Sequence, residues 1–340
     1  MRSARQTLNL RLLRATPLVL FVLVLILFSS LSSRFLSAQN FANILTQASF
    51  VAVMAIGMTF VLLIAGVDLS VGAAMYVSAA TLGVCLPGLP IPLAFLLMAG
   101  LGGLFGAVNA SFIVGLRVAA FVTTLAMLFI GRGLALWLST TKTILAPAQI
   151  LTFGEGTLFG VSFAVWVLVV VFVVALWIER STPFGRYLYA IGSDVEGARK
   201  AGIQVRRVTF AVYVICGMLA GVGGFVSWSQ TAAAATTFGY GMEFPVIAAA
   251  VLGGTSLFGG RGSVIGSVFG AVLIQTVQNG LVLLDANPYI YPLVTSSIIF
   301  VAVLLDSQRT RLLERLTRRQ IRTEPAGMVV VRPDDKVRPA

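Results

Sequence analysis

Long apolar runs separated by short polar connections constrain this chain more than any single residue does. In lipid every backbone N–H and C=O must be satisfied within the chain, so a run of about 20 apolar residues has one stable form, a membrane-crossing helix. Runs of that kind fall near residues 17–33, 43–65, 70–86, 91–114, 119–138, 160–178, 208–228, 244–257, 263–284 and 289–305. The sequence therefore predicts an all-α, polytopic membrane protein with about ten transmembrane helices. Only 11% of the 340 residues are charged and 58% are hydrophobic, against about 25% charged in a soluble domain.

Charge is rationed by position. The net charge of +12 is concentrated in an N-terminal arm over residues 1–16 (Arg2, Arg5, Arg11, Arg14), in one internal segment from Arg180 to Arg207, and in a tail over residues 307–340. The membrane domain proper then spans 17–306. The positive-inside rule accounts for this pattern without a nucleic-acid partner. With the N-terminus inside, the even-numbered connections carry Asp68, Arg117, the Arg180–Arg207 segment and Arg261, and both termini are cytoplasmic. The first apolar run is followed by Ser29-Ser30-Leu31-Ser32-Ser33-Arg34 and lacks a small-x-small cleavage site, so it reads as an uncleaved span. The start of the tail reads as a basic helix on anionic headgroups, and the stretch after Glu324-Pro325 as disordered. The chain contains no histidine, which excludes a histidine relay or a histidine-ligated metal. Cys85 and Cys216 sit in apolar runs and are expected as buried thiols.

Within the internal charged segment, Val195–Ala201 is a short helix-compatible run closed by Gly202 and flanked or occupied by Asp194, Glu196, Arg199, Lys200, Arg206 and Arg207. A two-turn helix carrying both signs of charge cannot lie in lipid, so it projects into water where a soluble protein can hold it.

The 34 glycines cluster in and beside the spans, as at 100, 102, 103 and 106, at 217, 221, 223 and 224, and at 262, 266 and 270. Close helix packing is their first explanation. An echo between GLFGAV at 103–108 and SVFGAV at 267–272 lies on spans of opposite direction and suits an inverted repeat.

Gly66-Val67-Asp68-Leu69-Ser70-Val71-Gly72 predicts a helix break in which Asp68 and Ser70 cap the following helix or expose backbone groups to a hydroxylated solute. Arg132 and Glu243 are intramembrane or boundary charges, expected either to snorkel or to line a vestibule. Trp228, Gln230, Gln275 and Asn279 are candidate sugar contacts, with an interfacial belt as the alternative. The 253–262 stretch GGTSLFGGRG lacks the lysine of a phosphate loop, so no nucleotide site is expected in this chain.

The three motifs GVDLSVG (66–72), YAIGSDVEGARKAGI (189–203) and GGTSLFGGRG (253–262), in this order and spacing, resemble the ribose-type sugar permeases of bacterial ABC importers. The resemblance extends from about Asn43 to Asp306, and makes 17–306 a permease domain. It implies a homodimer, or a pairing with a paralogue, in the bacterial inner membrane. It further implies a cytoplasmic ATPase that carries the ATP and Mg, and a periplasmic sugar-binding protein. The Ala190–Ile203 segment is then similar to a coupling helix, with Gly192, Asp194, Ala198 and Gly202 matching and Glu196-Gly197 departing from the family's pattern. The tail is longer than the family's. The expected role is transport of a monosaccharide or polyol without covalent chemistry on this subunit. Two rivals are an ion-gradient-driven transporter, which requires midplane carboxylates or histidines, and a branched-chain amino-acid permease of the same importer class.

Overall fold

A computed structural model describes residues 16–297 together with 300 and 304. The N-terminal arm before Thr16, part of the tenth apolar run and the whole tail lie outside the described residues. The helices of the first half are α1 (Thr16–Leu31), α2 (Ala38–Leu63), α3 (Val71–Cys85), α4 (Ile91–Ala110, continued by a π-helical turn to Gly115), α5 (Ala120–Ser139) and α6 (Ala148–Glu155). Those of the second are α7 (Phe163–Ser181), α8 (Pro183–Ser193), α9 (Val195–Lys200), α10 (Val205–Thr231), α11 (Glu243–Leu252) and α12 (Val264–Leu283). Among the described residues, six of these helices are long and apolar enough to cross a membrane: α2, α4, α5, α7, α10 and α12. Three shorter apolar helices, α1, α3 and α11, accompany them.

The long helices α2 and α10 form the centre. α10 packs along α4, α2 and α3, while α2 also holds α12, α11 and α7. In the most apolar window of α2, 78% of residues are buried, against 22% in α7. The outer helices α4, α5 and α7 turn Leu96, Leu104, Phe129, Ile130, Val170 and Trp177 outward. Against lipid, an apolar exterior is the stable one.

Two expected spans prove shorter. α11 covers Glu243–Leu252 rather than 244–257; at about 1.5 Å per residue it is about 15 Å long, half of a hydrocarbon core. It stops at Gly253-Gly254. α3 runs over 15 residues, after a non-helical stretch in which Ala65 has φ +58°. The left-handed turn falls on this alanine rather than on Gly66 or Gly72.

The connections sort to two ends. At one, β1 (Ile144–Leu145) pairs antiparallel with β4 (Ala233–Ala234), and the Trp228 indole N–H donates to Ile144 O over 3.3 Å. α6 and the hairpin of β2 (Thr157–Leu158) and β3 (Val161–Ser162) belong to the same connection as β1. These two-residue ladders are the departure from an all-α fold. At the other end, Arg117, Arg199, Arg206 and Arg207 line one cleft, and the turn carrying Arg261 touches the charged segment through Gly260 and Gly262. The basic even-numbered connections thus share one end, as the alternation of spans requires. The expectation for Cys85 fails: Cys216 is buried but Cys85 is exposed, because it is the last residue of the short α3.

Candidate functional site: a backbone junction and a returning loop

The charged segment folds as two helices, α8 and α9. α7 gives way at Thr182, whose Oγ1 accepts from Gly185 N over 3.3 Å and caps α8, with Pro183 at its first position. Threonine at the cap followed by proline is a favoured helix start.

α9 follows directly. Asp194 Oδ1 accepts from Glu196 N over 3.0 Å. A Cβ at Gly197 would come 2.6 Å from Asp194 Oδ2, so glycine there leaves the cap its space. The helix ends with Gly202 N donating to Arg199 O and Ile203 N to Ala198 O, with Gly202 at φ +84°. Those two bonds around a left-handed glycine make a Schellman ending. Ala198 is buried, whereas Glu196 and Arg199 are exposed and paired at 3.0 Å. Lys200 is exposed beside them. α9 is therefore anchored by one face and presents both signs of charge on the other.

Just before α9, two of the sequence motifs meet the end of α2, immediately ahead of the third. Gly260 N donates to Leu63 O, at the end of α2, over 2.9 Å. A Cβ at Gly192 would overlap both Leu63 O and Gly260 N, and one at Gly259 would lie 2.9 Å from Ala65 Cβ and from Gly192 O. The end of α2, the charged segment and the 253–262 turn thus touch backbone to backbone, closer than side chains permit.

A further support escapes the sequence reading. Glu179, in the last turn of α7, is buried. Its Oε1 accepts from the Tyr189 hydroxyl of α8 over 2.6 Å, and its Oε2 from Val264 N, the first residue of α12, over 3.2 Å. The same hydroxyl lies 3.0 Å from Gly262 O. Burial, together with the neighbouring carboxylate, pushes the Tyr189 phenol well above its ordinary value, so it stays a donor. One signal could have found Glu179: it is an acidic residue directly closing an apolar run, where a positive-inside end favours arginine and lysine.

The candidate pathway residues divide into groups. Asp68 is buried and accepts from both the Ser70 amide (2.9 Å) and the Ser70 hydroxyl (2.6 Å). It therefore closes a turn onto Ser70 instead of capping α3, and Ser70 makes no side-chain cap either. Asn109 of α4 donates to Ser70 Oγ over 2.7 Å, and Tyr213 of α10 donates to Val67 O over 3.3 Å. These two partners also escaped the sequence reading; both sit inside apolar runs, where a polar group signals a buried bond.

Arg132 and Glu243 are drawn to one loop, which returns between β4 and α11. Arg132 Nη2 donates to Thr236 O over 3.0 Å, and its guanidinium stands 4.5 Å from the Tyr240 ring centroid. Gly239 and Gly72 pack so closely that a Cβ on either would overlap the other's carbonyl oxygen, and one at Gly72 would lie 3.2 Å from Glu243 Oε2. The start of the half-length α11 thus abuts the start of α3, joining Arg132, Tyr240 and Glu243 to the Gly66–Gly72 motif. Arg132 neither snorkels freely nor stands alone.

Trp228, Gln275 and Asn279 do not join this group. Trp228 is fully buried against Gly83 and Ile144, so it is a core side chain and neither a belt nor a vestibule residue. Gln275 donates to Gln47 Oε1 over 2.7 Å, and Gln230 to Thr46 O over 2.8 Å; both tie later helices to α2. Asn279 is buried, with its Oδ1 unpartnered among the described residues. No cluster of three or more Cys, Asp and Glu able to hold a metal occurs among the described residues.

Comparison with known proteins agrees with this architecture. Residues 40–305 match the family model described as branched-chain amino acid transport system / permease component. The chain is 35% identical over 307 residues to the ribose import permease protein of Escherichia coli (strain K12), covering 88% of this chain and 95% of that one. It is 37% identical over 295 residues to the ribose import permease protein of Bacillus subtilis (strain 168), covering 86% and 91%. The fructose import permease protein of Rhizobium meliloti is 34% identical over 305 residues, covering 86% and 84%. No solved structure matches. All three motifs lie inside the matched region, and the chain belongs to this family of permease components, as a transport subunit rather than an enzyme.

Proposed function

We propose that this chain is the membrane subunit of a bacterial ATP-driven importer and passes a monosaccharide or related polyol delivered by a periplasmic binding protein. The observation that carries the reading is the junction just before α9. An exposed helix carrying both signs of charge follows directly on α8, whose Gly192 touches both the end of α2 and the 253–262 turn. A partner gripping α9 therefore moves the two helix breaks that border the bundle. A cytoplasmic ATPase, carrying ATP and Mg, fits that grip, and Gly192, Asp194, Glu196, Ala198, Arg199, Lys200 and Gly202 form its seat.

In this reading the basic end faces the cytoplasm, both termini lie there, and a second copy or a paralogue completes the channel in the inner membrane. Residues 1–16 are a basic arm, 17–306 the permease domain and 307–340 a basic tail. The loop bearing Tyr240, with Arg132 and Glu243 beside it, borders the substrate path near the membrane middle, where aromatic and polar groups suit sugar hydroxyls. The sugar reading is preferred over the amino acids of the family's description because the relatives above are named for ribose and fructose.

The test is a detergent pull-down of the tagged chain from its host, with mass spectrometry of what co-purifies. An ATPase bearing P-loops is expected, and the double reversal D194K/E196K is expected to lose it. A chain recovered alone that still drives uptake in ATP-free vesicles would overturn the reading. Uptake competition between ribose, fructose and leucine separates the two substrate classes.

A further inference from the structure

The carboxylate of Glu179 has no part in the seat just described, yet among the described residues it is the acidic side chain that bridges the coupling segment and α12. It lies at the end of α7, takes a hydrogen bond from Tyr189 of α8 through one oxygen (2.6 Å) and one from Val264 N of α12 through the other (3.2 Å). Tyr189 also reaches Gly262 O at 3.0 Å, on the turn that leads into α12. A buried carboxylate is costly without such partners, and charge-assisted bonds of this kind are strong. A carboxylate beside the first amide of a helix also meets the positive end of its dipole.

From this geometry we infer that Glu179 is a positioning residue for energy coupling: with Tyr189 it locks α8 to the 262–264 turn, so that movement of the coupling segment is carried into α12. The inference rests on the coupling role proposed for the seat from Gly192 to Gly202. The junction at Gly192 holds the two segments by close backbone contact, which resists compression. Only a bonded link transmits a pull, and Glu179–Tyr189 supplies it. Tyr189 makes the link conditional on a single hydroxyl, since tyrosine and phenylalanine differ by that group alone.

The experiment uses the complex of this chain with its co-purifying ATPase, reconstituted in nanodiscs, for the parent protein, Y189F, E179Q and the double variant. Three quantities are read: ATPase recovered per chain, the rate of ATP hydrolysis, and hydrogen–deuterium exchange of residues 253–266 with and without ATP and Mg. In the parent, ATP and Mg are expected to change exchange in that segment. Y189F is expected to bind the ATPase and hydrolyse ATP within about twofold of the parent while the nucleotide-dependent change falls by about fivefold or more, the lower end of a typical coupling between sites. The double variant should be no worse than E179Q, because both residues serve one link.

A Y189F protein whose exchange responds to nucleotide as the parent's does would overturn the inference, even if E179Q failed to fold. So would a Y189F loss that merely tracked lost ATPase. Failure of the underlying coupling role looks different: the D194K/E196K chain would then retain the ATPase and the nucleotide response alike.

Discussion

Gly192 contacts Leu63 O and Gly260 N through space that one methyl group would fill. Overpacking of this kind costs about 1–3 kcal/mol, so G192A is expected to lower the thermal midpoint of the purified chain and to cut ATP-driven uptake more than stability alone explains. Gly100 has open space where its Cβ would stand, and G100A is expected to stay within about 0.5 kcal/mol of the parent; a similar loss in both would remove the special status of Gly192. Ser70 makes a second case. Removing its hydroxyl strips the acceptor from Asn109 and one donor from Asp68, and S70A is expected to cost about 1–3 kcal/mol, read as a lower melting temperature by intrinsic fluorescence. Both positions were visible as letters in a motif, but their partners are remote in the chain; Ser70 and Asn109 stand 39 residues apart.

Between helices, the echo of GLFGAV in SVFGAV gains a physical meaning. Gly106 of α4 and Gly270 of α12 hold the same place in the two hexamers. A Cβ on the first would overlap Tyr213 O of α10, and one on the second Ala249 O of α11. Each glycine marks a close approach of its helix to a neighbour, as small residues do where helices pack in lipid. G106L and G270L are therefore both expected to reduce the folded yield severalfold, measured by detergent gel filtration, while G100L is tolerated. α9 offers a separate test. Its ending needs Gly202 at φ +84°, and an L-residue there costs about 1–2 kcal/mol. G202A is expected to leave the bundle's melting temperature nearly unchanged and to weaken ATPase capture, since α9 projects from the bundle. The presence of α9 was legible from Asp194, the charged pair and Gly202. The capped α8 before it is not marked out in the sequence, because it lies within the same charged segment and lacks the dense charge that sets Val195–Ala201 apart.

For the molecule as a whole, the disposition of its carboxylates bears on what drives transport. Asp68 is consumed by Ser70, and Glu243 sits at the start of α11 against the Gly72–Gly239 contact. Among the described residues neither belongs to a cluster of acidic groups of the kind an ion relay requires. D68N and E243Q vesicles are accordingly expected to keep uptake that depends on ATP and persists with a protonophore; collapse of uptake with the gradient would favour a secondary transporter. The environment and the class were legible from the order of residues alone. Apolar run length, positive-end bias and three motifs specify a membrane bundle of importer type, because in lipid the backbone must satisfy itself locally and charge resides at the ends. Which polar residues work together emerged only on folding. Trp228 went to the core, Arg132 to a returning loop beside Glu243, and Glu179 to a buried bridge. Within a bundle whose helices are apolar on every side, periodicity does not say which face meets which neighbour. That choice is made by close packing at glycines and by the need of each buried polar group for a partner, and both are properties of the folded whole.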